Sequence, residues 1–144
     1  MTNDDYRPVS ILLVDDDDID AMGVKRALDK MRVANPFHRA RDGIEGLEML
    51  RANAIHQPYL LLLDLNMPRM NGIEMLKELR SDPDLRGTVV FVLTTSSADQ
   101  DKVAAYNEHI AGYIVKNRLD SSFDELLKLL DHYWRLVELP VNNQ

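Results

Sequence analysis

The chain alternates between short, largely apolar runs and longer stretches in which apolar residues recur every three or four positions. The apolar runs cover residues 9–14, 37–40, 59–63, 88–93 and 112–115, the second of them weakly. Runs of this length are typical of parallel strands buried on both faces, and the longer spacing is typical of amphipathic helices. Five strand and helix pairs in strict alternation predict an α/β fold: a single doubly wound, five-stranded parallel sheet.

Three of the helices carry specific predictions. The first is predicted from the apolar spacing of Ile19, Met22, Leu28 and Met31, which suits a helix. The segment 98–108 has only a faint apolar face, so we expect it to be the least stable helix. The last helix is predicted to be capped by Ser121 or Ser122, with Asp124 or Glu125 at the capping-box position. Its predicted apolar stripe contains Phe123, Leu126, Leu127, Leu130, Trp134 and Val137.

Composition narrows the class of protein. The 144 residues suffice for one domain with its own core, and no apolar run has the length of a membrane helix. The acidic N-terminus does not resemble a signal peptide, and the absence of cysteine excludes disulfide and thiolate chemistry. These features predict a cytoplasmic protein. The net charge of -7, with no local basic patch, argues against direct binding to nucleic acid or to an anionic membrane.

One carboxylate stands at the end of the most strongly predicted strand. Asp64 follows the apolar run 59–63, and Pro68 and the Asn71-Gly72 turn signal come soon after it. Asp64 is therefore predicted to lie at the carboxyl edge of a parallel sheet. In open α/β sheets this edge is where ligands bind.

Four consecutive carboxylates, Asp15 to Asp18, follow the first strand. Capping of the next helix and compensation of its dipole would account for one or two of them. Repulsion among four carboxylates at a strand end is most simply relieved by a bound cation, and a hard ion such as Mg²⁺ suits oxygen ligands. Taken alone, these residues leave both interpretations open.

The same edge of the sheet is predicted to receive a hydroxyl and an ammonium group. Thr94 ends the fourth strand and Lys116 follows the fifth. Each has an ordinary explanation, as a strand-end threonine or as a surface lysine with its stem along the sheet. Together with the carboxylates they supply the parts for phosphoryl transfer onto Asp64: a nucleophile, a cation site, a hydroxyl donor and a fixed positive charge.

Four motifs in order resemble the receiver domain of two-component response regulators. They are Ile11-Leu-Leu-Val-Asp15-Asp16, the segment 64–72, Val92-Leu-Thr94-Thr95 and Tyr113-Ile-Val-Lys116. The resemblance spans about residues 9–138, leaves tails at 1–8 and 139–144, and implies a (βα)5 flavodoxin-like fold. Tyr133-Trp134 with Leu139-Pro140 further resembles the single-domain regulators paired with bacterial phytochromes of the cyanobacterial type.

The resemblance implies a role for each acidic residue of the site. Asp64 would be the phosphoacceptor. Asp16, Asp64 and the backbone carbonyl of Asn66 would bind Mg²⁺, and Asp15 would act through a water on the ion. Thr94 and Lys116 would hold the phosphoryl oxygens. Asp17 and Asp18 match no role in the family and are assigned to the helix start.

The resemblance also implies a switch, and it has two departures. Tyr113 would turn inward when Thr94 moves toward the phosphoryl group, although an ordinary half-buried strand tyrosine is the alternative. The family usually places proline after the lysine, in a cis peptide, whereas Asn117 stands here, and a cis bond before a residue other than proline costs roughly 3 kcal/mol. Thr95 is bulkier than the alanine or glycine often found there, which would narrow access to the site.

Three functions are compatible with these residues. The first is a stand-alone receiver that accepts a phosphoryl group from a sensor histidine kinase, such as a phytochrome, and signals through protein contacts rather than as an enzyme. The second is a phosphatase with an aspartate nucleophile, but such enzymes typically need a second aspartate two residues on, where Asn66 stands. The third is an unphosphorylated scaffold, although none of the expected acidic, threonine or lysine positions is missing.

The last helix suggests how such a domain signals. Leu129, Tyr133 and Leu136 widen its apolar stripe beyond what one side of a sheet needs. We expect this helix, with the fifth strand and the fourth helix, to form a homodimer interface. The alternative is that the loop to Lys116 or the tail from Leu139 covers these residues.

Overall fold

Five parallel strands form one sheet in this computed structural model, which describes residues 8–31, 35–120 and 122–141. The strands are β1 (Ser10–Val14), β2 (Phe37–Ala40), β3 (Tyr59–Leu63), β4 (Val89–Thr94) and β5 (Gly112–Val115). Their order in the sheet is β2-β1-β3-β4-β5, so the central strand is the leucine run that precedes Asp64. The predicted α/β fold with a doubly wound parallel sheet is confirmed.

Helices cover both faces of the sheet. They are α1 (Asp18–Lys30), α2 (Gly43–Arg51), α3 (Gly72–Ser81), α4 (Asp99–Asn107) and α5 (Asp124–Leu136), with a short 3₁₀ turn at Lys116–Arg118. The packing divides into two apolar clusters, with α1 and α5 on one face and α2, α3 and α4 on the other. Every strand connects to the next through a helix, which brings all the carboxyl ends to one edge.

The buried face of α1 includes only part of the predicted apolar spacing, since Leu28 is buried and Met31 packs against the core whereas Ile19 and Met22 do not. Ile19 is 80% exposed and Met22 61% exposed, so the large apolar residues at the start of the helix face outward. Close packing explains the difference, because a Cβ atom on Gly23 would lie 2.8 Å from the ring of Phe123. The helix instead packs through mostly small residues: Ala21, Gly23, Val24, Ala27 and Leu28.

The start of α5 also differs from the prediction. The helix begins at Asp124, and the residue before it, Phe123, has a left-handed backbone (φ 60°) and supplies no side-chain cap. The Oγ of Ser122 accepts only a 3.3 Å bond from the Asp124 N–H, and Ser121 lies outside the described residues. A left-handed residue other than glycine costs about 1 to 2 kcal/mol, and burial of a phenyl ring contributes about 2 to 3 kcal/mol. Packing against α1 therefore replaces the predicted capping box.

The apolar stripe of α5 is largely as predicted. Leu126, Leu127 and Leu130 are fully buried, whereas Val137 is 40% exposed. The ring of Tyr133 packs edge-on against Phe91, with centroids 5.0 Å apart.

Two predicted flanking residues of α5 remain uncovered. Leu129 is 49% exposed and Leu136 is 84% exposed. Leu139 packs against the core cluster beneath α5 rather than over these two leucines.

Candidate functional site

The strand register brings the first two carboxylates together. Val14 pairs with Leu63 across β1 and β3, and the Asp64 N–H donates to the Val14 carbonyl oxygen at 2.9 Å. Asp15 and Asp64 therefore leave neighbouring strands at the same level. Both side chains are buried, with Asp15 at 0% and Asp64 at 6% exposure.

A third carboxylate completes an acidic cluster. Asp15, Asp16 and Asp64 each offer an oxygen within 4.8 Å of the others, and Asp16 is exposed. Three carboxylate oxygens suit Mg²⁺, which prefers oxygen ligands. The exposure of Asp16 leaves one side of the cluster open to solvent, and Mg²⁺ usually keeps several waters when bound. Asn66, the remaining predicted ligand, lies in the loop directly after Asp64, and its N–H donates to Asp64 Oδ1 at 3.4 Å.

Lys116 reaches this cluster from the end of β5. Its Nζ donates to Asp15 Oδ2 at 2.8 Å and to Asp20 Oδ2 at 2.7 Å, and lies 3.6 Å from Asp64 Oδ2. Burial alone would lower the pKa of Lys116, but the hydrogen bonds to Asp15 and Asp20 and the attraction of Asp15 and Asp64 raise it above its ordinary value. The ammonium group is therefore charged throughout the physiological range.

For Asp15, burial has a larger effect on the pKa than the neighbouring positive charge. Burial raises the pKa of its carboxyl group to about 6, although Lys116 and the Asp17 N–H act to lower it. A buried carboxylate of this kind is stabilised by additional positive charge, which is what a divalent cation supplies.

The run of four aspartates divides into two pairs with different tasks. Asp17 caps α1, because its Oδ1 accepts from the N–H groups of Ile19 at 2.9 Å and Asp20 at 3.1 Å. Asp18 forms surface ion pairs with Arg39 and Arg41. The helix-start interpretation is confirmed for Asp17 and Asp18. The preceding pair, Asp15 and Asp16, belongs to the acidic cluster, for which cation binding stays a prediction.

Thr94 and Tyr113 are linked through the loop after β4. Thr94 is fully buried, and its Oγ1 accepts a 3.4 Å bond from the Ser96 N–H. The half-buried Tyr113 donates its hydroxyl proton to the Ser96 carbonyl oxygen at 2.9 Å. Ser96 Oγ in turn donates to Asp101 Oδ2 at 2.5 Å, in the first turn of α4. Ser96 is thus hydrogen-bonded to Thr94, to Tyr113 and to α4.

The two departures from the family pattern have different outcomes. The Lys116–Asn117 peptide is trans, since the one cis bond in the described part of the chain is Gln57–Pro58. Asn117 lies in the 3₁₀ turn, so the loop proceeds without the proline geometry. Thr95 is exposed and lies on the wall of a cavity that Lys116 also lines.

The loop that carries Asp64 is held from two directions. The Arg69 guanidinium donates to Asp42 Oδ2 at 2.6 Å, and this pairing holds the pKa of the Asp42 carboxyl below its usual range. Asn71 and Glu74 form a reciprocal capping box at the start of α3. Gly72 packs so closely under the loop that a Cβ atom there would lie 2.8 Å from the Leu65 Cα.

Sequence reasoning missed two residues of this region. Asp20 contacts Lys116 from α1, and its position in the first helical turn next to the acidic run was the available signal. Ser96 contacts its neighbours through both backbone and side-chain atoms, and no sequence pattern indicated these partners.

A buried lysine beside paired carboxylates, at the carboxyl edge of a five-stranded parallel sheet, is the arrangement that the resemblance to receiver domains implies. The chain belongs to the family described as "Response regulator receiver domain", whose model matches residues 11–131. Members of this family work with sensor histidine kinases and bind Mg²⁺ at an acidic pocket.

Two relatives resemble the chain over nearly its whole length. Response regulator Rcp1 of Synechocystis sp. is 32% identical over 145 residues, covering 97% of this chain and 99% of Rcp1. The structure of Mn²⁺-bound Rcp1 has a TM-score of 0.82 and 32% identity, and covers 93% of this chain and all of Rcp1. The structure of the phosphorylated cyanobacterial phytochrome response regulator RcpA has a TM-score of 0.84 and 35% identity, with 94% and 100% coverage.

A third relative is a longer protein. The nitrate/nitrite response regulator NarL of Escherichia coli is 37% identical over 123 residues, which are 85% of this chain and 53% of NarL. The predicted resemblance to receiver domains, and its narrower form toward phytochrome regulators, is confirmed. Across residues 8–31, 35–120 and 122–141, none of the helices combines the length and the apolar content needed to cross a bilayer.

Proposed function

We propose that this chain is a stand-alone receiver that accepts a phosphoryl group on Asp64 and signals through its change of conformation. The observation that carries the proposal is the contact set of Lys116, whose ammonium group joins Asp15 to Asp64 at the ends of three strands. A fixed positive charge beside a buried carboxylate serves a reaction in which an anionic group arrives at that carboxylate.

The chemistry is a single displacement. An oxygen of Asp64 forms a bond to phosphorus as the bond from phosphorus to the imidazole nitrogen of a kinase phosphohistidine breaks, and the imidazole leaves. Asp15, Asp16 and Asp64, with the Asn66 carbonyl, would hold Mg²⁺, which when bound neutralises charge on the phosphoryl oxygens. Lys116 neutralises a further oxygen, and the Thr94 hydroxyl donates to another.

Intact mass spectrometry after incubation with acetyl phosphate and Mg²⁺ tests this proposal. We expect one phosphoryl group on the wild type and none on Asp64→Asn. Asp18→Asn is the matched control, because it removes a carboxylate from the same edge without touching the acidic cluster, and it should be modified like the wild type. A scaffold would give no adduct, and a phosphatase would turn over a phosphomonoester substrate.

The conformational signal would pass from Thr94 to Tyr113 through Ser96. If the Thr94 hydroxyl turns toward a phosphoryl oxygen, it gives up the Ser96 N–H, and the carbonyl that Tyr113 contacts belongs to the same residue. Lys116→Ala should leave the fold intact but weaken the coupling between phosphorylation and output. A Lys116→Ala protein whose tyrosine environment responds to beryllofluoride like the wild type would exclude that role.

The partner proposed for the upstream step is a sensor histidine kinase of the phytochrome type in the cytoplasm. Its support is the similarity to Rcp1 and RcpA over more than nine-tenths of the chain. Phosphotransfer assays against a phytochrome kinase and an unrelated histidine kinase test the pairing. Equal transfer rates from both kinases would contradict it.

The downstream step would be formation of a homodimer. β5 is the edge strand of the sheet, and it is flanked by α4 on one face and α5 on the other. Apolar side chains stand exposed on both helices, with Val103 60% and Tyr106 52% exposed on α4, and Leu136 84% exposed on α5. Edge strands with apolar neighbours are favourable surfaces for self-association.

Sedimentation equilibrium with and without beryllofluoride tests the dimer. Coupling of this kind is worth roughly 1 to 3 kcal/mol, so the dimer should tighten about 5- to 150-fold. Leu136→Glu should abolish the response, whereas Ile19→Glu, at an equally exposed residue of α1, should not. Equal effects of the two substitutions would contradict this interface.

A further inference from the structure

Lys116 divides its hydrogen bonds unequally among three carboxylates. Its Nζ lies 2.7 Å from Asp20 and 2.8 Å from Asp15, but 3.6 Å from Asp64. An N–H···O bond is formed at about 2.7 to 3.2 Å, so the ammonium group is bonded to the first two and only attracted to the third. Of the three carboxylates, Asp64 therefore makes the weakest contact with Lys116.

Asp20 has no other side-chain task among the described contacts of the site. It lies outside the three-carboxylate cluster that could hold a cation, and its backbone N–H is fixed by the helix cap Asp17. Its carboxylate is partly accessible, at 23% exposure, whereas the Lys116 side chain is 8% exposed. Asp20 thus presents one fixed negative charge to one buried ammonium group.

Space exists for this pair to separate. Asp20 and Lys116 both line a cavity of about 570 Å³ between α1 and the loop that leads to α5. The flexible stem of a lysine can redirect its head without moving the strand that carries it. A contact of this kind can therefore break while the packing of the sheet stays unchanged.

We propose that Asp20 is a positioning residue that holds Lys116 back from Asp64 in the unphosphorylated protein, and so sets how tightly the site takes up a phosphoryl group. The inference rests on the proposed function. A phosphoryl group on Asp64 must draw Lys116 away from Asp20, because the same ammonium group would serve both. Removing the Asp20 charge removes this competition for the ammonium group.

Beryllofluoride binding at saturating Mg²⁺ measures the effect on uptake. Asp20→Asn should bind beryllofluoride roughly three- to tenfold more tightly than the wild type, the range expected for a partly exposed ion pair. Asp20→Glu, which keeps the charge, should stay near the wild type. Asp18→Asn is the matched control, because it removes a charge from the same helical turn whose partners are Arg39 and Arg41 rather than Lys116.

A second measurement distinguishes positioning from a general effect of charge. In a Lys116→Ala background, Asp20→Asn should give no further tightening. Without Mg²⁺ or beryllofluoride, the Lys116 ammonium signal in a proton–nitrogen NMR spectrum should be sharp in the wild type and in Asp18→Asn, and broadened in Asp20→Asn. Asp20→Ser replaces Asp20→Asn if the amide variant does not fold.

The outcomes separate the two proposals. Equal affinities for Asp20→Asn and Asp18→Asn, or an ammonium signal that the Asp20 substitution leaves unchanged, would overturn the role of Asp20 alone. A wild-type protein that takes up neither beryllofluoride nor a phosphoryl group would overturn the proposed function, and the role of Asp20 with it.

Discussion

Replacing Gly72 with alanine should destabilise the fold and displace the loop that carries Asp64 at the same time. Gly72 begins α3, and its N–H donates to the Leu65 carbonyl oxygen at 3.0 Å. A Cβ atom there would press on the backbone carbonyl oxygen of Asp64 and lie 2.8 Å from the Leu65 Cα. These are main-chain atoms, so no side-chain rotation relieves the contact.

The magnitude follows from overpacking against backbone. Such strain costs about 2 to 3 kcal/mol, which for a domain of this size lowers the melting temperature by roughly 6 to 12 °C. Thermal unfolding by circular dichroism measures the loss. The folded fraction should also accept a phosphoryl group from acetyl phosphate more slowly than the wild type, since the carbonyl that moves belongs to Asp64 itself.

Gly46→Ala is the matched control for this prediction. A Cβ atom on Gly46 would meet the Met75 Cε at 2.9 Å, which is the far end of a flexible side chain, and the Val14 Cγ2 at 3.1 Å. Alanine also favours the helix interior by about 1 kcal/mol, so the net change should be within about 1 kcal/mol. A Gly72→Ala protein as stable as Gly46→Ala would refute the reasoning from backbone contact.

Two further perturbations address stability and one addresses metal binding. Arg80 donates to four backbone carbonyl oxygens, so Arg80→Ala should lower the free energy of unfolding in urea by roughly 2 to 4 kcal/mol. The control Arg135→Ala, at an exposed residue, should lower it by less than about 1 kcal/mol. The Asp42 pKa is lowered from 3.8 by Arg69, so this carboxyl adds stability at neutral pH that is lost as the pH falls below 3.8. The free energy of unfolding of Asp42→Asn should therefore depend less on pH below 3.8 than that of the wild type. Because the pKa of Asp15 is about 6, Mg²⁺ affinity should fall roughly tenfold from pH 7 to pH 5. Isothermal titration should show little of that dependence in Asp15→Asn.

The strands could be predicted from sequence because their signals are local. β2, β3 and β5 have the predicted bounds, and β4 is displaced by one residue, since most of these strands are apolar runs delimited by turn residues. The strand ends then fix the site, because parallel register brings Asp15, Asp64 and Lys116 to one edge whatever the loops do. This part of the site follows from topology alone.

What sequence could not supply depends on contacts between distant elements. Leu28 and Met31 of the predicted α1 spacing lie against the core, but Ile19 and Met22 face outward, because the start of α5 approaches too closely for large side chains. The left-handed Phe123 has the same origin. Asp20 was missed because its partner, Lys116, lies 96 residues away in the chain. Spacing patterns report which face is apolar, not which face has room.

Helix α4 buries little of its surface, and this affects how such a domain acquires new partners. Within the helix only Ala105 is buried, and Ala98 before it provides no side-chain cap. Substitutions on its outer surface therefore carry little cost to the core, whereas almost any change in β3 would. The exposed residues of α4, such as Val103 and Tyr106, can therefore change during evolution without altering the residues at the carboxyl edge of the sheet. A lineage carrying this fold can diversify its recognition through one helix and inherit its reactive centre unchanged.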